Sequence, residues 1–310
     1  MNVIETEKIT KKFKTLTALD NISIRVGEGE IYGFLGLNGA GKTTLIRILL
    51  AMIKPTGGMV KIFGNKPDTN NGLWNNIGYM VEKPSAYPNL SVIENLAVYF
   101  ELRQLKNKKL IGDIIEKLNL GNYADTKAKY LSLGNGQRLG LAKALMHSPK
   151  LLILDEPING LDPEGIVEVR KLLKELSLKG TTIFLSSHIL GEISKLANRI
   201  AIIHRGKLIK ELSAGELDGK LIKKLLIKTN ENERALQYLN QKNYNAAIVN
   251  NEIETTDIRA IEKPEEISKL LVEKGLPAKQ VYLFTEDLEH YFLRAVGECG
   301  NEQSNVRVKS

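Results

Sequence analysis

The segment Gly36-Leu-Asn-Gly-Ala-Gly-Lys-Thr-Thr44 satisfies in full the pattern G-x-x-x-x-G-K-[ST], which is typical of loops that bind phosphate. It follows a short apolar segment, Ile31–Leu35, and it precedes a longer apolar run, Thr44–Met52. This context predicts a strand, a loop and a helix in that order, which is the context that the motif requires. It disfavours the alternative of a glycine-rich turn between strand and helix with a surface lysine. The sequence therefore predicts an α/β fold that binds a nucleoside triphosphate.

The residue types of this loop indicate how it would hold the nucleotide. Its glycines let the backbone turn tightly and direct N–H groups at phosphate oxygens, and the helix N-terminus adds a partial positive charge. Lys42 is placed to reach the β- and γ-phosphates, and the hydroxyl of Thr43 is placed to bind Mg²⁺. The residues that we expect to contact the nucleotide are Gly36, Leu37, Asn38, Gly39, Ala40, Gly41, Lys42, Thr43 and Thr44.

A second segment, Leu151–Pro163, reads Leu-Leu-Ile-Leu-Asp-Glu-Pro-Ile-Asn-Gly-Leu-Asp-Pro. Its leading apolar residues are too few for a helix, and Pro157 follows soon after, which favours a strand buried on both faces. Such a strand brings Asp155 and Glu156 to its carboxyl end, where one acid can hold Mg²⁺ and the other can accept a proton from water. Taken alone, the segment could equally be an ordinary strand with a solvated acidic end. The phosphate-binding loop upstream argues for the metal ligand and the base.

Further segments stand in order around these two. They are Ile-Thr-Lys-Lys-Phe13, Tyr130-Leu-Ser-Leu-Gly-Asn-Gly-Gln-Arg138, Asn159-Gly-Leu-Asp162 and Ser186-Ser-His188. From about residue 3 to residue 215, the ordered series resembles the ATP-binding-cassette (ABC) ATPase family. The resemblance implies a P-loop NTPase of the ABC ATPase type, with a RecA-like core, an antiparallel β subdomain and a helical subdomain.

The resemblance also implies a role for each matching residue. Phe13 would stack on the adenine, and Asp155 would bind the metal. Glu156 would be the catalytic base, and His188 would contact the γ-phosphate. Residues of the signature segment and of the D-loop would bind nucleotide across a dimer; these are Ser132, Gly134 and Asp162. From the residues alone, Phe13 could instead fill a core and Ser132 could simply cap a helix.

The signature segment departs from the family pattern at two positions. Leu133 stands where the family has a glycine, and Asn135 stands where it has a glutamine. A leucine cannot adopt a positive φ angle without strain, so the resemblance leaves open whether this segment supports full activity. The main-chain N–H groups and the hydroxyl of Ser132 still suit a phosphate.

Glu82 stands where the family usually has the glutamine of the Q-loop. A carboxylate near Mg²⁺ and the attacking water can bind the metal or accept a proton, whereas an amide mainly orients water. We therefore expect Glu82 to be both a metal ligand and a catalytic residue. The alternatives are a role in coupling to a membrane subunit and a merely solvated loop acid. This loop and the variant signature resemble those of the bacitracin-resistance and lantibiotic-immunity exporter ATPases.

Composition limits the class of protein. With 310 residues, of which 43% are hydrophobic, the chain can bury one large core and a smaller one. No apolar run approaches the roughly 18 to 20 residues that span a bilayer, and the amino terminus lacks the pattern of a signal peptide. A single cysteine, Cys299, excludes an internal disulfide and fits a reducing cytosol. We expect a cytoplasmic protein that lies peripherally on the inner face of the cell membrane.

Charge is unevenly distributed along the chain. The net charge is +8, yet the residues from Ala214 onward carry slightly more acidic than basic side chains. The positive charge of the first part suits phosphate ligands and an anionic membrane surface. No concentrated basic stretch with interleaved aromatics is present, so we expect no nucleic-acid partner.

The pattern of the chain changes near Leu217. Downstream, strand-like and helix-like segments follow in the order β-α-β-β-α-β, which predicts a small ferredoxin-like module. We therefore expect an ABC ATPase domain at 1–215, a ferredoxin-like α+β accessory domain at 216–297 and a disordered tail at 298–310. Within the first domain, residues 91–120 predict helices, which in ABC proteins carry the face that touches the membrane subunit.

The leading hypothesis is the ATP-hydrolysing subunit of an ABC exporter for an antimicrobial peptide or drug of the bacitracin or lantibiotic type. Its cofactors would be ATP and Mg²⁺. A homodimer, or a pair of ATPase subunits, would sandwich the nucleotides, and separate integral-membrane permease subunits would carry the cargo. The alternative is a soluble ABC ATPase in DNA maintenance or translation, which tandem cassettes or a long coiled-coil insert would mark. A binding protein without hydrolysis is disfavoured because Asp155, Glu156 and His188 are all present.

Overall fold

The computed structural model describes residues 1–67, 72–82 and 86–307 and, for residues 218 and 298–307, the backbone alone. The chain forms two compact units, of which one comprises Gly215–Arg294 and the other the rest of the chain. Each unit has its own hydrophobic core. Within the described ranges, no helix has the length and the apolar character needed to cross a bilayer.

The first unit combines two sheets with helices. Its strands are β1 (Asn2–Phe13), β2 (Leu16–Ile22), β3 (Arg25–Gly27), β4 (Ile31–Leu35), β5 (Gly57–Ile62), β6 (Ile77–Met80), β7 (Leu151–Asp155), β8 (Thr182–Ser187), β9 (Arg199–His204) and β10 (Lys207–Ser213). Its helices are α1 (Lys42–Leu49), α2 (Val92–Leu102), α3 (Lys109–Lys117), α4 (Leu133–Leu145), α5 (Pro163–Leu178) and α6 (Leu190–Ser194). Strands β2, β1, β3 and β5 form an antiparallel sheet.

The larger sheet of this unit has the strand order β10-β9-β4-β8-β7-β6 and is parallel except for the β10–β9 pair. Every residue of β4, β7 and β8 is buried, as expected for strands of a parallel sheet that is covered on both faces. The register places Leu35 beside Ser187 and Asp155 beside Ser186. The segments that follow these three strands therefore leave the sheet at the same edge, where α/β proteins bind ligands.

Helices α2 and α3 lie within residues 91–120, where the sequence predicts helices. Helix α2 begins with a capping box, because the Ser91 hydroxyl accepts from the Glu94 main-chain N–H at 3.2 Å and the Glu94 carboxylate accepts from the Ser91 N–H at 2.7 Å. Asn95 is fully buried and bonds to both the N–H and the carbonyl of Tyr87. These bonds fix the start of α2 against the loop before it.

The elements in and around the second unit are α7 (Ala214–Asp218), β11 (Lys223–Thr229), α8 (Asn232–Gln241), β12 (Ala246–Val249), β13 (Glu252–Thr255), α9 (Ile258–Glu262), α10 (Pro264–Glu273), β14 (Ala278–Thr285) and α11 (Leu288–Arg307). The sheet has the order β12-β13-β11-β14, and every pair is antiparallel. This is the strand arrangement of a split β-α-β fold. Its core joins Leu225 and Ile227 of β11 to Leu239 of α8 and to Ile267 and Leu271 of α10.

The end of the chain differs from the expectation of a disordered tail at 298–310. Helix α11 continues to Arg307, so the backbone of residues 298–307 is helical, whereas 308–310 lie outside the described residues. A polar composition does not by itself prevent a helix. No proline interrupts this segment, and glutamate, glutamine and arginine are good helix formers. The second compact unit comprises Gly215–Arg294.

Candidate nucleotide-binding site

The phosphate-binding loop leaves β4 and ends where α1 begins. Gly41 precedes the helix with φ at 112°, and Gly39 has φ at 79°. Both angles lie in the left-handed region that side chains disfavour. A Cβ atom at Gly41 would also lie 2.6 Å from the carbonyl oxygen of Ala18. Only glycine therefore allows the loop to turn this closely against β2, with the N-terminus of α1 facing the phosphate position.

Lys42 is the first residue of α1, and its side chain is only 6% exposed. Its Nζ donates to the carbonyl oxygen of Gly36 at 2.7 Å and lies 3.3 Å from Oε1 of Glu156. The ammonium thus lies between the loop backbone and the carboxylate. A phosphate that enters the loop would bind the Lys42 ammonium more strongly than the uncharged carbonyl of Gly36 does.

Thr43 and Asp155 come together as a pair of oxygen ligands. The Thr43 hydroxyl donates to Oδ2 of Asp155 at 2.7 Å. The other carboxylate oxygen, Oδ1, accepts a short hydrogen bond from the hydroxyl of Ser186 on the neighbouring strand. Asp155 is 2% exposed, so these two bonds orient a carboxylate that is otherwise shut off from water.

Glu156 follows β7 and has an unusual backbone conformation, with φ at 50°. Its N–H donates to the carbonyl oxygen of Ser186 at 3.1 Å, which extends the β7–β8 ladder by one residue. Its Oε2 lies 2.8 Å from Nδ1 of His188. A carboxylate only accepts, so Nδ1 carries the hydrogen in this contact. The carboxylate of Glu156 therefore lies between Lys42 and His188.

The signature segment accommodates Leu133 without the strain that the sequence suggests. Ser132 is the N-cap of α4, and its hydroxyl accepts from the Asn135 N–H at 3.2 Å. Leu133 is then the first helical residue and needs no positive φ. Its side chain covers Gly160, because a Cβ at Gly160 would lie 2.3 Å from Cδ2 of Leu133. The start of α4 thus packs on the Asn159–Asp162 loop of the same chain.

The remaining predicted residues lie around this centre and not within it. Phe13 is 45% exposed at the end of β1, with Nζ of Lys11 4.8 Å from the centre of its ring, so it is not a core aromatic. Asp162 is the N-cap of α5 and accepts from the Gly165 N–H at 2.9 Å. At the start of α4, Ser132 is exposed and Gly134 is partly buried. Within a single chain, the structure gives neither of them a hydrogen bond to the phosphate-binding loop.

Glu82 makes an ion pair with a residue of α1. Its Oε1 lies 2.6 Å from Nη2 of Arg47, and the two side chains are 56% and 41% exposed. Its φ of 58° is in the left-handed region. The contact that the structure gives Glu82 is therefore with Arg47 and not with the Thr43–Asp155 pair.

The sequence reasoning did not find three residues with clear contacts at this site, namely Arg47, Gln137 and Ser186. Ser186 bonds to Asp155, and Gln137 donates from Nε2 to the carbonyl oxygen of Glu156 at 2.8 Å. A signal existed for Ser186, because it lies near the carboxyl end of β8, the strand that follows the acidic segment. Gln137 stands in the signature segment, but nothing local in the sequence indicates that its side chain reaches Glu156 from α4.

A family model described as ABC transporter matches residues 19–159 of the chain. The bacitracin transport ATP-binding protein BcrA of Bacillus licheniformis is 38% identical over 301 residues, which cover 95% of this chain and 97% of that protein. The lantibiotic transport ATP-binding protein SrtF of Streptococcus pyogenes is 38% identical over 209 residues, covering 67% of this chain and 90% of that protein. A bacterial ABC transporter cassette solved as a dimer matches with a TM-score of 0.63 and 25% identity, covering 68% of this chain and 98% of that one.

A phosphate-binding loop beside a carboxylate pair, at one edge of a parallel sheet, defines a P-loop ATPase. The relatives define the family more narrowly: the chain belongs to the ATP-binding proteins of ABC transporters. The family and the α/β P-loop fold that the sequence predicts are thereby confirmed, and so is ATP hydrolysis as its reaction.

Proposed function

We propose that this chain is the ATPase subunit of an exporter that removes an antimicrobial peptide or drug of the bacitracin or lantibiotic type through separate membrane subunits. The observation that carries the proposal is the intact set of Lys42, Thr43, Asp155, Glu156 and His188 around one loop. The substrate class rests on the similarity to BcrA along nearly the whole of both chains.

Mg²⁺ fits the residues that are present. Thr43 and Asp155 offer hard oxygen donors 2.7 Å apart, and Mg²⁺ typically takes one or two protein oxygens together with water and substrate phosphates. The described residues contain no cluster of three or more His, Cys, Asp or Glu side chains that could hold a metal alone. Bound there, Mg²⁺ would neutralise charge on the β- and γ-phosphates.

The side chains of this chain supply the rest of the mechanism. Lys42 would leave the carbonyl of Gly36 for the phosphates, which frees Oε1 of Glu156. Glu156 would then take a proton from the attacking water as general base. His188 would hold the other oxygen of that carboxylate and present the second ring nitrogen to the γ-phosphate.

Dimerisation completes this proposal. Ser132 is exposed at the N-terminus of α4, where unpaired N–H groups favour an anion. In a head-to-tail pair of cassettes, this end would meet the γ-phosphate held by the other copy. The stacking of Phe13 on adenine and the placement of Asp162 at the dimer contact belong to the same proposal.

A groove of about 620 Å³ suits the membrane subunits. Its lining includes Met52 and Tyr79 beside the sheet and Tyr87 and Leu102 beside α2, together with Glu82. Tyr87 and Leu102 are 53% and 72% exposed and share this groove with Met52 and Tyr79, so the exposed side chains form one patch. We place the docking segment of a permease here, with Glu82 reporting the state of the nucleotide.

The soluble alternative in DNA maintenance or translation has less support. Helices α2 and α3 have 11 and 9 residues, so no long coiled coil is inserted into the described part of the cassette. The relatives are named as transport proteins.

Drug resistance in cells tests the proposal. In a bacterial host that carries the chain with its membrane subunits, the inhibitory concentrations of bacitracin and of a lantibiotic would be measured for wild type and for Glu156→Gln. We expect wild type to raise at least one of them and Glu156→Gln to abolish the effect, with the exposed Glu175→Gln on α5 as the control. Equal resistance in wild type and Glu156→Gln would contradict the proposal.

A further inference from the structure

The main chain of Glu156 is held from both sides. Its N–H donates to the carbonyl oxygen of Ser186 at 3.1 Å and approaches the Ser186 hydroxyl at 3.3 Å. Its carbonyl oxygen accepts from the N–H of Asn159 at 3.2 Å and from Nε2 of Gln137 at 2.8 Å. Gln137 is the one side chain among these partners that comes from α4.

The Gln137 amide is placed for this single contact. The side chain is 4% exposed, so its N–H groups have little access to water. A carbonyl oxygen only accepts, so the amide nitrogen must face it. Loss of the donor would leave a buried carbonyl with one partner fewer.

The hydrogen bond from Gln137 holds the peptide plane after Glu156, and the orientation of this plane affects where the Glu156 carboxylate points. The carbonyl of Glu156 belongs to the Glu156–Pro157 peptide, which has no N–H to hold it from the other side. The φ of Glu156 is 50°, a conformation that persists only when the surroundings impose it. A donor on this oxygen therefore fixes the backbone from which the Glu156 side chain leaves.

We propose that Gln137 is a positioning residue for Glu156, which ties the direction of the catalytic carboxylate to the helix that begins at the signature residue Ser132. This rests on the proposed role of Glu156 as the base. Because the bond joins α4 to the segment after β7, any shift of α4 would move the Gln137 amide and with it the carbonyl of Glu156. Hydrolysis would then respond to the signature segment within the same chain.

Substitution of Gln137 by methionine tests this inference, because methionine has a similar length and no N–H donor. We expect kcat for ATP to fall roughly 10- to 100-fold, since a misplacement of about 1 Å can have that effect. The affinity for a fluorescent ATP analogue should stay within about twofold, because the hydrogen bond of Gln137 is to the carbonyl of Glu156 and not to the phosphate-binding loop. The exposed Gln241→Met on α8 is the matched control, and circular dichroism would confirm that each variant folds.

A double variant separates positioning from a general structural effect. In a Glu156→Gln background, Gln137→Met should not lower the residual rate further, because there is no longer a base to position. The inference would be overturned if the two substitutions lowered the rate multiplicatively in the double variant, or if Gln137→Met alone left kcat unchanged. Either result would leave the proposed role of Glu156 standing. Full turnover by Glu156→Gln would overturn both.

Discussion

His188 meets one carboxylate oxygen of Glu156 twice, through its main-chain N–H at 3.3 Å and through ring Nδ1 at 2.8 Å. The carboxylate is thereby held at the end of β8 although it belongs to the segment after β7. For the ring to donate both to Glu156 and to a phosphate, it must carry a hydrogen on each nitrogen. Since Glu156 is the proposed base, we expect a change in either residue to disturb the other.

Replacement of Glu156 by glutamine should keep ATP binding and abolish turnover. An amide cannot take a proton from water, and the loss of a general base typically costs about 10²- to 10⁴-fold in rate. ATP that is bound but not hydrolysed should also hold two copies together. Phosphate release and ATP-dependent gel filtration would measure these effects, and a fully active variant would refute the assignment of the base.

Replacement of Lys42 by alanine should weaken nucleotide binding itself. The variant loses the charge that would neutralise the phosphates, and it also loses the bond from Nζ to the carbonyl of Gly36 that pins the loop. Titration with a fluorescent ATP analogue would detect the change. Lys117→Ala on the surface of α3 serves as the control. If the two variants bind ATP equally well, the loop is only a turn.

Replacement of Gly160 by alanine should disturb the start of α4. The new Cβ would lie 2.3 Å from Cδ2 of Leu133, and φ at this position is 76°, which costs an alanine about 1 to 2 kcal/mol. Leu133→Ala in the same chain should restore part of the lost melting temperature and ATPase rate, because it removes the clash but not the φ strain. Gly191→Ala, which meets no atom within 4 Å, is the control. Additive losses in the double variant would show that the two residues do not interact.

Replacement of Glu82 by glutamine tests whether this carboxylate acts in ATP hydrolysis or couples the state of the nucleotide to a membrane subunit. The Glu82–Arg47 ion pair is exposed, so its loss should hardly affect stability. We expect hydrolysis by the isolated chain to fall no more than severalfold, while drug resistance in cells decreases. Arg47→Gln removes the same ion pair, so we expect it to change hydrolysis and drug resistance as Glu82→Gln does. A large loss of hydrolysis in Glu82→Gln alone would instead assign the carboxylate to the metal or the attacking water.

His147 should make the free energy of unfolding depend on pH. Burial, reinforced by the nearby Arg103 guanidinium, lowers the pKa of His147 from 6.5 to about 4, although Nε2 donates to the carbonyl of Ile77 at 3.0 Å. The unfolded chain therefore binds a proton more readily, and stability should decrease as pH falls from about 6.5 towards 4. His147→Gln keeps a donor and cannot titrate. Urea titrations at several pH values should show a shallower decrease for this variant, and identical profiles would exclude the effect.

Much of the site could be predicted because its chemistry is local in sequence. The loop around Lys42 and the acids at 155 and 156 each lie in one short segment, where residue type, spacing and flanking apolar runs carry the information. Parallel strands then bring the two segments together, since both follow strands of one sheet.

The residues that were missed depend on contacts distant in sequence. Ser186 reaches Asp155 through the β7–β8 register, and Gln137 reaches Glu156 from a helix that precedes it by a full strand. Neither register nor helix packing can be read from one sequence by periodicity alone. The doubt about Leu133 had the same origin, because only the structure shows the space that Gly160 leaves for it.

The left-handed backbone of Glu156 has a consequence for how such a chain can evolve. A glycine at this position would relieve the backbone strain, but it would remove the carboxylate that the proposed reaction needs and would leave the buried ammonium of Lys42 without its ion-pair partner. A substitution that relaxes this turn is therefore disfavoured twice, through activity and through stability. We expect the strained backbone and the carboxylate to persist together as the sequence of such a chain diverges.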